Sequence, residues 1–438
     1  MENIALEYSN SCCIPMQQLR TIIQTLDEEI ARVTQAQSTG YSTDYASINL
    51  PYDTALLTTI NNAVKEKKLL KPTYLIVIGI GGSNLGTIAV LEALQGKFYN
   101  NDNEMVTYFA DTVDSDYLNS IIKITEKELY AGNNILLNVI SKSGETTETI
   151  ANFQLFLEVL IKHRPYNYND FIIVTTDHNS ALWQFAQQEK ITALAVPQNV
   201  GGRYSVFSAV GLFPLALCGV DIADLHAGAQ NALSFNNNTE HNPAIISAAI
   251  LSILYQRGYV IHDTFLFSVE LESMGKWYRQ LMAESIGKSH SRSGVLINNG
   301  ITPTVSIGST DLHSVAQLYL SGPYNTFTTF VSISKNNTDL HITDNTTFHL
   351  LAPTIQNKSI STVMDAILQG TMIAYQKNSR PFVHITVPEK TAYYIGQFMQ
   401  IKMLEIMYLG FLMNINPFDQ PNVELYKKET KKVLSLKK

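Results

Sequence analysis

The sequence predicts an α/β protein of two lobes with helical segments at both ends. Three observations predict it. From Tyr74 onward, short continuous apolar runs alternate with stretches of helical periodicity. A similar order of elements recurs in the second half. The chain has 438 residues, enough for two or three domains rather than one.

The segment up to about Leu70 is amphipathic and reads as helical. Tyr74–Ile80 is a continuous apolar run, as expected of a strand buried on both faces. A glycine-rich turn and a helix over Leu85–Leu94 follow. Met105–Ala110, Asn134–Ile140 and Phe171–Thr175 read as further strands. Between the last two, Ile150, Phe153, Leu157 and Leu160 repeat at helical spacing. Strand, turn, helix and strand in this order imply parallel βαβ units with right-handed crossovers. A helical stretch runs over Ser205–Leu217, and the polar stretch Asp221–Pro243 marks the passage to a second lobe. Strands are expected there at Thr264–Val269, Thr304–Ile307, Phe327–Ile333 and Phe382–Val387. A long helix over Ala392–Leu412 and a charged terminal helix close the chain. This divides it into a helical segment 1–70, lobes 71–235 and 236–390, and a helical segment 391–438.

Bulk composition narrows the function classes. Apolar residues at 45% and charged residues at 16% suit a folded core rather than a disordered chain. A formal net charge of −7 disfavours nucleic acid as partner, while a local field can still favour a small anion. The basic tail Lys427–Lys438 reads as a solvated end. Cys12, Cys13 and Cys218 have neither zinc-site spacing nor an even count for a disulfide framework, so no metal is expected and a cytoplasmic setting fits. The first twenty residues lack the apolar core of a signal peptide. Val206–Val220 is too short to span a bilayer. Ile395–Ile415 is long enough, but Lys402 and Glu405 interrupt it, so a buried helix is expected.

Six segments could carry chemistry. Gly79–Gly86 places glycines between a strand and a helix, where backbone N–H groups can meet an anion; a dinucleotide turn or a purely structural turn would look similar. Ser141–Thr147, containing Lys142 and Ser143, again joins a strand to a helix. One hydroxyl satisfies an N-cap; four within seven residues favour a phosphate. The segment lacks the lysine spacing of a nucleoside-triphosphate loop, so a monophosphate is the simpler ligand. Gly201-Gly202-Arg203 could offer a guanidinium to an oxyanion or form a surface ion pair. Glu284, in Glu284-Ser285-Ile286-Gly287-Lys288, is a candidate base or a solvated charge. His313, in Asp311-Leu312-His313-Ser314, is weak evidence alone. Asn416–Glu424 is a proline-fixed loop leading to a helix near Lys427.

Together, in this order and at these spacings from Gly79 to Lys427, the six segments resemble the glucose-6-phosphate isomerase family in its shorter bacterial form. The resemblance implies two sugar-isomerase lobes, each a parallel sheet flanked by helices, and a homodimer with the histidine corresponding to His313 donated across the interface. It implies that glucose 6-phosphate and fructose 6-phosphate interconvert, in glycolysis and gluconeogenesis, without a cofactor. It assigns Glu284 as base, His313 and Lys427 as the ring-opening pair, and Arg203 as stabiliser of the intermediate. Ser141, Lys142, Ser143 and Thr146 would hold phosphate with Gln420 nearby, and Gly82 and Ser83 would lie against the sugar. Four positions depart from the usual pattern: Asn84, Glu145, Ile286 and Asn422. Glu145 adds a negative charge beside a dianion, so its side chain must point away or affinity should suffer. Asn422 stands where glycine is common, and asparagine tolerates a left-handed backbone.

The chemistry accounts for these residue types. One carboxylate can shuttle a proton between C2 and C1 through a cis-enediol(ate). A fixed cation stabilises the charge that develops on oxygen. Imidazole titrates near neutrality and suits ring opening. A non-catalytic sugar-phosphate sensor would not need Glu284, His313 and Lys427. A nicotinamide enzyme would need an acidic ribose partner, for which Glu104 and Asp111 have the spacing, but would leave the other five segments without a role. An isomerase that also accepts mannose 6-phosphate remains compatible.

Overall fold

A computed structural model of the chain describes residues 3–436. The strands are β1 (Ala5–Glu7), β2 (Tyr74–Ile78), β3 (Val106–Ala110), β4 (Ile135–Ile140), β5 (Ile172–Thr176), β6 (Thr192–Ala195), β7 (Ile261–Leu266), β8 (Lys288–His290), β9 (Leu296–Asn299), β10 (Thr302–Ile307), β11 (Thr326–Lys335) and β12 (Phe382–Glu389). They form two five-stranded sheets, in the orders β3-β2-β4-β5-β6 and β1-β12-β11-β7-β10, and a small β8-β9 ribbon. The first sheet is parallel throughout. In the second, β10, β7, β11 and β12 are parallel and β1 lies antiparallel on β12.

The side-chain alternation of the strands explains the layering. On the first sheet, Ile76, Ile78, Leu137, Val139, Ile172 and Val174 face an outer core with Leu118, Phe156 and Leu182 of the covering helices. Leu75, Val77, Leu136, Ile140 and Ile173 face the other way and join a central core. The second sheet repeats this. Phe265, Phe330 and Phe382 pack outward with Leu368 and Tyr375, whereas Leu266, Val331, Val383, Ile385 and Val387 face the central core. Helices Leu85–Gln95, Ala209–Leu217, Ile222–Ser234, Pro243–Gln256, Glu272–Ile286 and Ala392–Leu412 fill the space between the sheets.

Most expected elements appear at their expected places. One strand is displaced: β7 covers Ile261–Leu266, not Thr264–Val269, and Val269–Leu271 is a 3-10 turn. His262 and Asp263 hide the strand in the sequence because buried polar residues break its apolar run. The structure pairs one polar atom of each: His262 Nε2 pairs with Thr329 Oγ1 at 2.9 Å, and Asp263 Oδ1 accepts from Thr304 Oγ1 at 2.6 Å, Ser306 Oγ at 3.0 Å and Tyr319 OH at 3.0 Å. β1 adds a short strand to the N-terminal segment read as helical, because three residues are too few to show periodicity.

Ala392–Leu412 is a buried helix, as its two charges suggest. Lys402 Nζ donates to Glu405 Oε2 at 2.7 Å, with both side chains almost wholly buried. Lys402 also lies 4.2 Å from the centre of the Tyr278 ring, and Tyr278 OH donates to Glu405 Oε1. Burial pushes the Lys402 pKa down and Glu405 opposes that shift. Among the described residues, no helix is long and apolar enough to cross a membrane. Glu405→Leu should leave the Lys402 ammonium unpaired and cost about 3–5 kcal/mol, while Lys402→Met with Glu405→Leu should recover most of it. Urea midpoints of the three proteins check this; a single variant as stable as the parent would show that the pair carries no stability.

Candidate active site

The two glycine turns meet first. β2 ends at Ile78, and Gly81–Ser83 forms a 3-10 turn before the Leu85–Gln95 helix. A Cβ on Gly82 would lie 2.3 Å from the carbonyl carbon of Gly202 and 2.7 Å from Arg203 N. The backbones of the two turns are thus pressed together, and glycine at 82 is demanded by the protein itself. Ser83, one residue on, lines a cleft of about 720 Å³ that Asn416–Gln420 and Lys427 close from the C-terminal side.

The phosphate-loop candidate borders the same cleft through Lys142, Ser143 and Thr146. It follows β4, and Thr146 is the N-cap of the Thr147–His163 helix. The Thr146 hydroxyl makes no capping bond; it pairs with Ser141 Oγ at 3.0 Å. The first-turn N–H groups therefore keep their capacity for an anion, where the helix dipole favours negative charge. Gly144 has φ +70°, and a Cβ there would lie 2.8 Å from Leu182 N and from Ser180 Cβ. Burial pushes the pKa of Lys142 down, Asp177 works against that, and Arg203 adds to it. Glu145 Oε2 lies 3.4 Å from Lys431 Nζ of the Val423–Leu436 helix.

Arg203 is no surface ion pair; its side chain is 1% exposed. It donates five hydrogen bonds: Nε to Ser285 Oγ at 2.7 Å, Nη1 to Glu284 Oε2 at 3.1 Å and Gln420 Oε1 at 2.8 Å, and Nη2 to the carbonyls of Pro417 at 2.7 Å and Asp419 at 3.1 Å. Glu284 sits in the last turn of the Glu272–Ile286 helix with its side chain 31% exposed, so it is not the freely solvated charge that its sequence context allowed. Its Oε1 accepts from Gln280 Nε2 at 3.0 Å. Glu284 lines a second cleft of about 690 Å³, which shares Asn416, Phe418, Asp419 and Gln420 with the first. Lys427 lines the first cleft and pairs with Glu424 at 2.8 Å.

The structure thus brings Arg203, Glu284 and Gln420 into contact and sets Lys142, Ser143, Thr146, Ser83 and Lys427 around the adjoining cleft. It does not bring His313 to them. That residue ends a 3-10 turn, Thr310–His313, and is exposed. Asn422 is absent from the non-glycine residues with positive φ, so the left-handed backbone it could tolerate is not used there. Gln280, Ser285 and Asp419 escaped the sequence reading. Gln280 had one available signal, its position one helical turn before Glu284, where side chains share a face.

The sequence profile described as phosphoglucose isomerase matches residues 65–438. The chain belongs to the phosphoglucose isomerase family. A glucose-6-phosphate isomerase of Fusobacterium nucleatum is 32% identical over 438 residues, covering 98% of this chain and 95% of its own. A structure of a hypothetical protein from Thermus thermophilus is 29% identical, with TM-score 0.88 over 98% of this chain and 99% of that one. The structure of a glucose-6-phosphate isomerase from Chlamydia trachomatis, 21% identical, shares the fold with TM-score 0.82 over 100% of this chain and 89% of that one. Five of the six segments, all but that of His313, meet around the two adjoining clefts.

Glu145→Thr should change the KM for fructose 6-phosphate by less than about twofold, since an exposed ion pair contributes roughly 0–1 kcal/mol and the carboxylate faces Lys431. Steady-state kinetics decide; a KM lowered fivefold or more would mean that Glu145 repels the phosphate.

Proposed function

We propose that the chain interconverts glucose 6-phosphate and fructose 6-phosphate, serving glycolysis and gluconeogenesis, with Glu284 as the proton carrier. The observation that carries this reading is the contact of Glu284 with the buried Arg203, 3.1 Å apart beside the hydroxyl-rich loop. A carboxylate and a fixed guanidinium, side by side, are what proton transfer through an enediolate requires.

In this reading the substrate phosphate sits at Ser141, Lys142, Ser143 and Thr146, with Gln420 near it and Ser83 toward the sugar. Phosphate binding is remote from the reacting carbons and holds them in register. Glu284 removes the C2 proton of the open-chain aldose and returns it to C1. Arg203 stays in place while charge develops on the adjacent oxygen, because its own hydrogen bonds hold the guanidinium before substrate arrives. Lys427 and His313 handle ring opening. The route calls for no metal or redox cofactor.

His313 reaches the site in this reading from a second copy. Its exposure supports that, as does the excursion between β11 and the Ile360–Lys377 helix, where Leu340, Phe348, Leu350 and Leu351 are exposed. Apolar groups gathered on one surface segment mark a face that a partner covers. The lobe limits 71–235 and 236–390 and a cytoplasmic location belong to the same proposal. The first sheet, between residues 74 and 195, supports the former.

Glu284→Gln should lower kcat by roughly 10²–10⁴-fold and leave the KM for fructose 6-phosphate nearly unchanged. A coupled assay of glucose 6-phosphate formation reads both, and an equal loss of binding and turnover would remove Glu284 from the base role. His313→Ala and Glu284→Gln chains, each inactive alone, should regain about one quarter of parental activity when unfolded and refolded together, because mixed dimers hold one intact site. No recovery from proteins that refold normally would place His313 outside the partner's site.

A further inference from the structure

Lys288 is buried beside the site, yet nothing in the proposed chemistry uses it. The Glu272–Ile286 helix stops at Gly287, whose N–H bonds the Ala283 carbonyl at 3.0 Å, and the chain leaves as β8. Carbonyls of a last helical turn lack backbone donors, and a cation there is favourable. Lys288 fills that need at one particular carbonyl. Its Nζ donates to the carbonyl oxygen of Glu284, the residue that carries the base, at 2.9 Å. The same ammonium donates to the carbonyl oxygen of Asp419 and lies 3.0 Å from Asp419 Oδ1. The Lys288 side chain is 6% exposed.

Two of the three donors of the ammonium go to these carbonyls, and the Asp419 carboxylate lies against the same ammonium. Its burial and these partners turn Lys288 toward the protein rather than toward a sugar. Arg203 Nη2 donates to the same Asp419 carbonyl at 3.1 Å, so two cations hold one peptide oxygen. The residue after that peptide is Gln420, which borders both clefts and accepts from Arg203 Nη1. Arg203 ties the carboxylate of Glu284 to Gln420; Lys288 ties the backbone of Glu284 to Asp419. A side-chain link and a main-chain link between the same two segments together fix a separation, which neither does alone.

We propose that Lys288 is a positioning residue that locks the backbone of Glu284 to the Asp419–Gln420 segment and so sets the distance between base and phosphate end. This rests on the isomerase reading above. It assigns Lys288 an effect on turnover without substrate contact, because a misplacement of about 1 Å at the reacting atoms can cost on the order of 10²-fold in rate. Burial lowers the Lys288 pKa and Asp419 opposes that shift, consistent with a cation retained for its partners rather than for solvent.

The test compares the parental enzyme with Lys288→Met, Asp419→Asn and the double variant, using fructose 6-phosphate and urea titration of each. Lys288→Met should lower kcat per folded molecule by about tenfold or more, with KM within roughly threefold of the parent. Asp419→Asn keeps the carbonyl acceptor and should lower kcat by less. The double variant should match Lys288→Met, since the Asp419 carboxylate acts through Lys288 and shared interactions are not additive. Parental kcat in Lys288→Met, a loss that only tracks the folded fraction, or a double variant showing the product of the single losses would each overturn the proposal. If Lys288→Met fails to fold, Asp419→Asn decides: unchanged kcat there overturns it. No turnover by the parental enzyme would overturn the isomerase reading first, and this inference with it.

Discussion

The site depends on the burial of one guanidinium. Arg203 cannot discharge itself by losing a proton, so each of its N–H groups needs an acceptor once water is removed. The structure supplies Ser285, Glu284, Gln420 and the carbonyls of Pro417 and Asp419. These come from two stretches of chain more than a hundred residues apart, and neither is near Arg203 in sequence. The demand of one cation thereby recruits the end of the Glu272–Ile286 helix and the Pro417–Gln420 loop. It also accounts for the glycines nearby: Arg203 reaches its acceptors from a backbone pressed against Gly82, where no side chain fits.

Charge in this protein is a local matter. The chain is acidic overall, with net charge −7, yet Lys142 and Lys427 line one cleft, Lys288 borders the next, and Arg203 is buried against Glu284 and Gln420. Fixed cations in a partly enclosed space set the field there more than distant surface carboxylates, which solvent and salt screen. The one carboxylate in the candidate phosphate loop, Glu145, pairs with Lys431. The buried Lys402–Glu405 pair shows the same economy away from the cleft. Two charges that interrupt an apolar stretch neutralise each other inside the helix layer and leave that layer without net charge.

Much of the fold was readable where burial on both faces gives an unbroken apolar run, as in Ile135–Ile140. It was unreadable where tertiary partners compensate polar atoms inside a strand: Asp263 looks like a strand breaker until Thr304, Ser306 and Tyr319 are placed around it. The candidate site divides along the same line. The loops were recognisable from residue type and order, but each residue taken alone had an ordinary explanation. Burial decides for Arg203, and the arginine's contact decides for Glu284. Gln280 and Lys288 could not be singled out, because their roles consist of bonds to groups whose positions the local sequence does not contain. For His313 the local sequence and the single chain are equally silent, since it stands exposed.

The topology has a consequence for how the chain is made. Strands β2 to β6 follow one another between residues 74 and 195, so the first sheet can close while the remainder is still being synthesised. The second sheet cannot. Its edge strand β1 emerges before its other strands, and β12, the neighbour of β1, emerges after all of them, at Phe382–Glu389. For most of that interval β1 has no ladder to join. A strand of three residues, Ala5–Glu7, ending in a charge, offers little template for wrong pairing while it waits.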